Sequence, residues 1–385
     1  MYNNQVEVHF MPVIIKEVKT RKEQKLFVEF PNKLYKGNKY YVPPIYMDEI
    51  KIFRKDYIYY DTSDAWYFLA YKDNKVVGRI SAIHQKTSNE KWKQKRLRFT
   101  RFDCIDDQEV ANALFDKITE IAKQLGLEEL VGPLGFSDLE REGLLIEGFE
   151  WENTYEEQYN YPYYQKLLEN YGFGKDVDWL EHRLTVDKSK AERIIKYSET
   201  LEKRFNLRLV KDISINNYIK QYKDKFFELL DIAYDNIYGS VPFTDGMKKM
   251  IIDNFKLIIN MDYLGTVVNE KNEVVAFSIG FPAIGEAFQK SGGHLTLPAI
   301  IKFLKIKKNP KRIDLGLIGV NPEAEGGSAG TLMMLACLMK TMMDKNIEYA
   351  ETNLNLENNT NILNVWNHFN CIQHKRRRSF VKKVN

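Results

Sequence analysis

The feature that most constrains the fold is a weak internal repeat. Similar local patterns occur in three pairs of segments: Asn74–His84 with Asn272–Pro282, Lys117–Leu134 with Cys337–Leu354, and Leu167–Phe173 with Val365–Cys371. The first and third pairs are 198 residues apart, and the second pair is 220 residues apart. An extra helical segment at Leu297–Lys308 and a compensating one at Phe136–Glu157 account for the change of offset. The sequence therefore predicts two copies of one structural unit.

Each copy has the pattern of an α/β (α+β) domain. In the second copy, period-2 alternation predicts strands at Tyr263–Val268, Val274–Pro282 and Arg312–Val320, and helical spacing predicts a long helix from Ala329 to Lys345. We expect a mixed, mostly antiparallel central sheet flanked by helices in each copy. The predicted domains are residues 1–190 and 191–385, with the boundary inside the charged helical stretch Asp187–Asn206.

The composition of the chain limits its cellular location and the kinds of molecule it is expected to bind. No stretch has the roughly 20 apolar residues of a membrane span, and the segment Met1–Phe10 lacks the order of a secretory signal. Three widely spaced cysteines and six histidines without ligand spacing indicate neither a disulfide framework nor a metal site. A net charge of +4 does not call for a nucleic-acid or membrane partner. We expect a cytoplasmic monomer or homodimer with no metal.

A glycine-rich junction in the second copy suggests an anion site. The sequence VNPEAEGGSAGTLMM links a predicted strand to a predicted helix and contains Gly326, Gly327 and Gly330. Free amides at a helix start attract anions, and glycines let the backbone approach a pyrophosphate closely. Ser328, Ala329 and Thr331 complete this candidate site. Glu325 opposes it, since a solvated carboxylate about 4 Å from a phosphate costs roughly 1 kcal/mol. Turn glycines before a core helix are the alternative.

The order of elements and the glycine-rich turn resemble the GNAT (general-control-related N-acetyltransferase) superfamily. The whole chain looks like a tandem member of it, of a bacterial kind with YYVPP at Tyr40–Pro44 and a GP…GLLIEGF segment at Gly132–Phe149. The resemblance implies an acyltransferase that moves an acetyl or other acyl group from acyl-CoA to an amine of a small molecule or peptide. It also implies that Ile318, Gly319 and Val320 hold the acyl carbonyl and the pantetheine arm.

The matching junction of the first copy predicts the opposite behaviour. Asp106, Asp107 and Glu109 stand where a phosphate would lie, and this junction has no glycine. Acidic residues at a helix start favour capping and repel phosphate. We therefore expect the first domain to lack the cofactor and to form one wall of a cleft.

Catalytic residues are harder to assign. Asp314, Glu351 and Glu357 are candidate bases on or after the predicted central strands. The family often has a tyrosine acid seven residues after an asparagine, and Asn359 is the asparagine that would contact the cofactor. Counting from it gives Trp366, which has no proton to offer a thiolate. With Glu325 and Ser328 at motif positions, this departure favours a second hypothesis, a catalytically inactive GNAT-like binding or assembly module.

A basic run near the end of the sequence admits two interpretations. The residues His374–Arg378 read HKRRR and are capable of meeting phosphates or nucleic acid. They fall in a predicted strand, where alternate side chains face opposite sides. We expect a solvated face or protection of a sheet edge.

Overall fold

The computed structural model describes residues 12–321 and 323–384. The segment Met1–Phe10, on which the expectation of no export rests, lies outside the described residues. Within the described part, no helix combines the length and the apolar character needed to cross a bilayer.

The described strands form a single sheet. They are β1 (Ile14–Glu17), β2 (Ser63–Lys72), β3 (Lys75–Gln85), β4 (Arg96–Cys104), β5 (Glu129–Gly132), β6 (Leu144–Glu147), β7 (Gly174–Thr185), β8 (Arg208–Leu209), β9 (Leu264–Val268), β10 (Val274–Pro282), β11 (Arg312–Val320), β12 (Tyr349–Thr352), β13 (Asn355–Leu356) and β14 (Asn370–Lys383). Their order is β1-β2-β3-β4-β5-β14-β7-β12-β11-β10-β9-β8, with β6 beside β14 and β13 beside β7.

Helices cover this sheet. They are α1 (Arg21–Leu34), α2 (Tyr46–Glu49), α3 (Lys86–Trp92), α4 (Gln108–Gln124), α5 (Tyr163–Tyr171), α6 (Lys188–Arg204), α7 (Ile215–Tyr234), α8 (Asp245–Ile258), α9 (Gly285–Phe288), α10 (Leu297–Lys308), α11 (Gly327–Asp344) and α12 (Thr360–Trp366). Their apolar faces pack on the sheet in several buried clusters, of which one surrounds α4 and another α7.

The two halves repeat one order of elements. In the first half an antiparallel meander of β2, β3 and β4 leads through α4 to β5, which pairs parallel with β4. In the second half β9, β10 and β11 lead through α11 to β12, which pairs parallel with β11. The expected α/β fold with two similar, mostly antiparallel units is confirmed. The domain division at residue 190 stays a prediction.

The last strands of the halves are exchanged. β7 comes from the first half but pairs with β12 and β13 of the second half. β14 comes from the second half but pairs with β5 and β6 of the first half. β7 and β14 also pair with each other along most of their length, from Asn370 opposite Thr185 to Val381 opposite Gly174. Each half therefore completes the sheet of the other.

The predicted solvated face for the basic run His374–Arg378 is wrong. β14 lies inside the sheet, and His374, Lys375 and Arg377 are buried. Arg377 Nε donates to Glu181 Oε1 at 2.6 Å, and its Nη2 donates to Asn153 Oδ1 at 2.8 Å. Buried charges need such partners because desolvation is costly. The run is therefore an internal ion-pair network that joins the halves.

Candidate functional site

A large cleft lies between the halves. Its volume is about 2150 Å³, roughly twice the upper end of ordinary ligand pockets. The first half contributes residues from 44–59, 138–142 and 155–159, and the second half contributes parts of α6, α7, α8, α10 and β11 and the start of α11. The cleft is lined by many apolar side chains and by a smaller number of acidic residues and arginines. Such a cleft can bury a ligand with both a long apolar part and a polar centre.

The two central strands of the second half separate at the cleft. β11 and β12 are paired from Arg312 to Leu315, and beyond this point β11 continues without β12 beside it. Gly316 and Leu317 of β11 together oppose the single residue Ile279 of β10, which makes a bulge at the point of separation. The following residues, Ile318 to Val320, line the cleft. Backbone groups of β11 are thereby released from sheet pairing and can meet a ligand.

The helix α11 starts at the same end of the cleft. Gly326 has a positive φ of 83°, and its carbonyl accepts from the Gly330 amide at 2.7 Å. A Cβ on Gly327 would lie 2.9 Å from the Asn321 carbonyl oxygen, so this position has no room for a side chain. Within residues 12–321 and 323–384, the amides of Ser328 and Ala329 have no acceptor. These two donors at a helix start fit an anionic group.

The charge near this helix start is mixed. Glu325 is exposed and is not among the residues that line the cleft. Arg204, at the end of α6, does line it, and a Cβ on Gly326 would lie 3.3 Å from Cβ of the adjacent Phe205. An arginine therefore stands on the cleft side of the turn while the acid stands outside it. Sequence reasoning missed Arg204 because it is distant from the glycines along the chain.

Nine of the ten residues predicted to bind the cofactor line this cleft. They are Ile318, Gly319, Val320, Gly326, Gly327, Ser328, Ala329, Thr331 and Asn359. Gly330 does not, since it is buried and a Cβ on it would lie 3.1 Å from Cβ of Ala276 on β10. Its glycine lets α11 pack closely on the sheet.

The three candidate bases lie outside the cleft lining. Glu351 is buried and ion-paired, with Oε1 at 2.5 Å from Lys375 Nζ and 2.7 Å from His374 Nε2. Burial opposes its ionisation, but Lys375 and His374 outweigh burial and lower its pKa. Glu357 accepts from Arg376 Nη1 at 3.0 Å and pairs with Lys175. Both are occupied in ion pairs, so a structural role explains them.

Asp314 is the most unusual of the three. It stands opposite Glu351 in the parallel pairing of β11 with β12 and is buried. Burial, and then the negative charges of Glu351 and Glu156, raise its pKa well above the usual value. Burial disfavours the ionised form that a base needs, and Asp314 lies outside the cleft lining, so the structure does not support Asp314 as the base.

Asn359 and Trp366 have structural partners. Asn359 caps α12, where its Oδ1 accepts from the Ile362 amide at 3.3 Å. Trp366 is buried, and its Nε1 donates to Asn355 Oδ1 at 2.7 Å. The indole is thus held in place by this bond and is not among the residues that line the cleft.

A carboxylate from the first half, Glu156, faces the splayed strand instead. Its side chain is exposed to the cleft, yet the surrounding protein displaces enough water to raise its pKa to about 7, against the opposing charge of Arg141. The loop that carries it is fixed at both sides, because Arg141 Nη2 donates to the Tyr155 carbonyl at 2.7 Å and Asn153 Nδ2 donates to the Glu157 carbonyl at 2.6 Å. A pKa near 7 suits a general base.

A tyrosine hydroxyl completes this end of the cleft. Tyr234 is the last residue of α7, and the backbone amide of Ile318 is directed at its hydroxyl oxygen. Burial raises the pKa of Tyr234, the Ile318 amide opposes the shift, and the negative charges of Asp138 and then Glu156 add to it. Glu156, Tyr234 and Ile318 therefore all line this cleft. No sequence signal identified the two side chains, because they come from different halves.

The start of α4 in the first half differs as predicted. Asp107 caps the helix, with Oδ1 accepting from the Glu109 amide at 2.9 Å, and Lys72 bridges the two acids. The predicted capping role is confirmed. None of these residues lines the cleft.

One group of potential metal ligands occurs in the described part of the chain. Glu181, Glu351 and His374 have ligand atoms within 4.8 Å of one another. The ammonium of Lys375 lies among them, 3.1 Å from Glu181 Oε2 and 2.5 Å from Glu351 Oε1. A lysine already supplies the positive charge that a cation would bring, so this group is explained by ion pairing.

Two known proteins resemble the chain in sequence over most of its length. No protein-family model matches the chain. The chain is 24% identical to Protein YghO of Escherichia coli over 96% of this chain and 95% of that protein. It is also 24% identical to the bacterial ceramide synthase of Caulobacter vibrioides, over 82% of each.

Two solved structures resemble the whole chain in fold. A tandem GNAT protein from the clavulanic acid biosynthesis pathway matches with a TM-score of 0.55 at 13% identity, covering 97% of this chain and 99% of that one. A GCN5-related N-acetyltransferase from Sphaerobacter thermophilus matches with a TM-score of 0.52 at 8% identity, over 97% and 96% of the two chains. The chain has the tandem GNAT fold. The resemblance drawn from the order of elements is confirmed.

Proposed function

We propose that the protein is an acyl-CoA-dependent N-acyltransferase that acylates the amine of a lipid-like molecule. One observation carries this proposal: a strand edge released from pairing, Ile318 to Val320, lines the same cleft as the amides of Ser328 and Ala329 at the start of α11. Neither amide has an acceptor among the described residues. The strand edge suits an acyl carbonyl and a pantetheine arm, and the helix start suits a pyrophosphate. The second half is then the donor-binding domain, and the first half supplies the facing wall.

Three groups over β11 suit the chemical step. The amine nitrogen attacks the thioester carbonyl carbon, a C–N bond forms, and the Ile318 amide changes its acceptor from the Tyr234 oxygen to the developing oxyanion. Glu156 accepts the proton that the amine loses. The C–S bond then breaks, and the Tyr234 hydroxyl donates a proton to the leaving thiolate. The proton on Glu156 then passes to the Tyr234 phenolate, which restores both side chains. The products are an amide and free CoA thiol, so atoms and charges balance.

The apolar lining supports long-chain substrates. Ile258, Phe288 and Phe303 line the cleft beside the polar centre, and its volume exceeds what an acetyl group and a small amine require. The Caulobacter relative is a ceramide synthase, and a ceramide is a long-chain amino alcohol with an acyl group on its nitrogen. A related reaction explains why the cleft is both large and largely apolar.

A binding module without catalysis is the second candidate. It is favoured by Trp366, whose indole is buried at the position where the family often has a tyrosine acid. Tyr234 offers a hydroxyl from another helix, and this weighs against the loss of catalysis. The presence or absence of turnover separates the two candidates.

Calorimetric titration with acetyl-CoA, palmitoyl-CoA and CoA tests the donor site. We expect palmitoyl-CoA to bind more tightly than acetyl-CoA, because its chain buries apolar surface worth about 0.8 kcal/mol per CH₂. Release of CoA thiol with a long-chain amino alcohol as acceptor then measures transfer. Binding without thiol release would support the inactive module. No heat with any of the three up to about millimolar, the level of −4 kcal/mol, would rule out the acyl-CoA proposal.

A further inference from the structure

Exposed apolar side chains gather at one side of the cleft mouth. Leu297 is 71% exposed, Leu257 67% and Leu304 55%, and Leu295, Ile300 and Ile301 are also exposed. Four of these six, Leu257, Leu295, Ile300 and Leu304, line the cleft as well. Exposed apolar residues that cluster in this way mark an interaction surface. We call Leu257 together with α10 and Leu295 the mouth patch.

The helix α10 has two apolar faces. One face packs inward, where Ala299 is buried and Phe303 and Ile306 pack on the cluster around Phe288. The other face carries Leu297, Ile301 and Leu304, which are spaced four and three residues apart and so lie on one side of the helix. An ordinary surface helix has polar residues on its outer face. The outer face of α10 therefore suits an apolar environment.

The charge around the mouth patch is mainly positive, and the acid next to it in the chain, Glu286, is paired with Lys302 at 2.6 Å. From residue 287 to residue 313 the sequence contains six lysines and one arginine and no aspartate or glutamate, although the whole chain has a net charge of only +4. Lys305 is exposed beside the outer stripe and Lys308 is exposed at its C-terminal end, one turn after Leu304. Lys307 donates to the Leu257 carbonyl at 2.6 Å, which ties α10 to α8. Lysines that flank an apolar stripe complement anionic headgroups.

We propose that the mouth patch docks on the surface of an anionic lipid membrane. α10 lies in the headgroup region with Leu297, Ile301 and Leu304 directed at the acyl chains and the lysines at the phosphates. The cleft then opens toward the lipid, because Leu295, Ile300 and Leu304 belong both to the patch and to the lining. This surface goes beyond the proposed acyl transfer, and binding at it does not require catalysis.

The proposal departs from the expectation of no membrane partner. That expectation rested on the absence of a spanning segment and on a small net charge. The absence of a spanning segment and a small net charge do not exclude a local basic patch, because acidic residues elsewhere in the chain offset the lysines of residues 287–313. Interfacial binding depends on the local stripe and its flanking charges.

Co-sedimentation of the full chain with lipid vesicles tests the docking. We expect binding to vesicles of phosphatidylglycerol and phosphatidylcholine, weaker binding to phosphatidylcholine alone, and a decrease with added salt. Two variants probe the patch: Leu297→Ser with Ile301→Ser, and Lys305→Glu with Lys308→Glu. Each should lower vesicle affinity at least about tenfold. These side chains are exposed and lie outside the cleft lining, so an unchanged thermal midpoint checks the fold.

Matched controls remove exposed apolar side chains elsewhere. Leu125 is 39% exposed and Ile372 is 59% exposed, and the variant Leu125→Ser with Ile372→Ser should bind vesicles like the unchanged protein. No binding to anionic vesicles, or equal losses in patch and control variants, would overturn the proposal. A dimer in sedimentation velocity that becomes monomeric in the Leu297→Ser, Ile301→Ser variant would also overturn it, because the stripe would then be a protein interface. Failure of acyl transfer with vesicle binding intact would leave this inference standing.

Discussion

The starts of α4 and α11 occupy equivalent places in the two halves and have opposite chemistry. The α4 start is closed by Asp107, whose carboxylate accepts from the Glu109 amide. The α11 start follows Gly326 at a positive φ and leaves the amides of Ser328 and Ala329 without an acceptor among the described residues. The α4 start is already occupied by a carboxylate of the chain, whereas the α11 start has amides that can bind an external anion.

The difference teaches how two copies of one unit divide a task. A helix start is an anion site only while no carboxylate fills it, so a few residues decide which copy can bind a donor. The first copy instead brings the cleft-facing acid Glu156 to the strand of the second. Under the proposed function, donor and proton acceptor thus come from different copies. Three predictions test this division.

The largest effect should come from Glu156→Gln. If the first half supplies the base, this variant should lower kcat about 10²–10⁴-fold while donor affinity stays unchanged. The pKa of Glu156 is raised to about 7, so the carboxylate becomes the main form only above that pH. The rate of the unchanged protein should therefore rise as pH increases through about 7, and the variant should lose this rise. A pH–rate profile of thiol release measures both.

Glu357→Gln is the matched control for the base. Glu357 is a partly exposed acid from the second half, ion-paired with Arg376 and Lys175, and it should change the rate little. A larger loss in Glu357→Gln than in Glu156→Gln would return the base to the second half.

A smaller effect, on acyl-CoA affinity, should follow from changing the second residue of α11 to an acid like the one at the second position of α4. Ser328→Asp puts an acid at the α11 start and should weaken acyl-CoA binding about tenfold, because it both caps an amide and repels phosphate. Ser328 is exposed, so stability should not change. Titration calorimetry measures the affinity.

Glu109→Ser is the corresponding change in the first half. Glu109 is the second residue of α4 as Ser328 is of α11, and its loss should leave acyl-CoA affinity the same. Glu325→Arg should tighten binding slightly. Equal affinities in Ser328→Asp and the unchanged protein would show that the donor phosphates bind elsewhere.

The smallest effect concerns stability alone. Asp107→Ala removes the cap of α4 and its ion pair with Lys72, and should lower the free energy of unfolding by about 1 kcal/mol. Urea denaturation measures this loss, and Asp106→Ala, beside the cap and exposed, serves as control. A loss of acyl-CoA binding in Asp107→Ala would contradict the view that the first helix start takes no part in donor binding.

Local patterns predicted the local structure well. The strand Arg312–Val320 has the predicted bounds, and the long helix begins at Gly327, near the predicted Ala329. Alternation and helical spacing act over a few residues, so the sequence carries them directly. The repeat and the order of elements predicted the tandem fold for the same reason.

Long-range pairing was not predictable in this way. The basic run His374–Arg378 alternates like an edge strand, and only the exchange of β7 and β14 makes it central and buried. Glu156 looks like an ordinary surface acid in the sequence, and its raised pKa arises from the walls of a cleft built by both halves. Gly330 fits a phosphate motif by spacing, but its contact with Ala276 shows that it serves packing.

The exchange of β7 and β14 has a consequence for biosynthesis. The sheet of the first half needs β14 beside β5, and β14 comprises residues 370–383. The ribosome must therefore release nearly all of the second half before the first can close its own core. Until then the open edge of β5 and the acids that await Arg377 remain without their partners, so this nascent chain depends on late residues to finish its earliest ones.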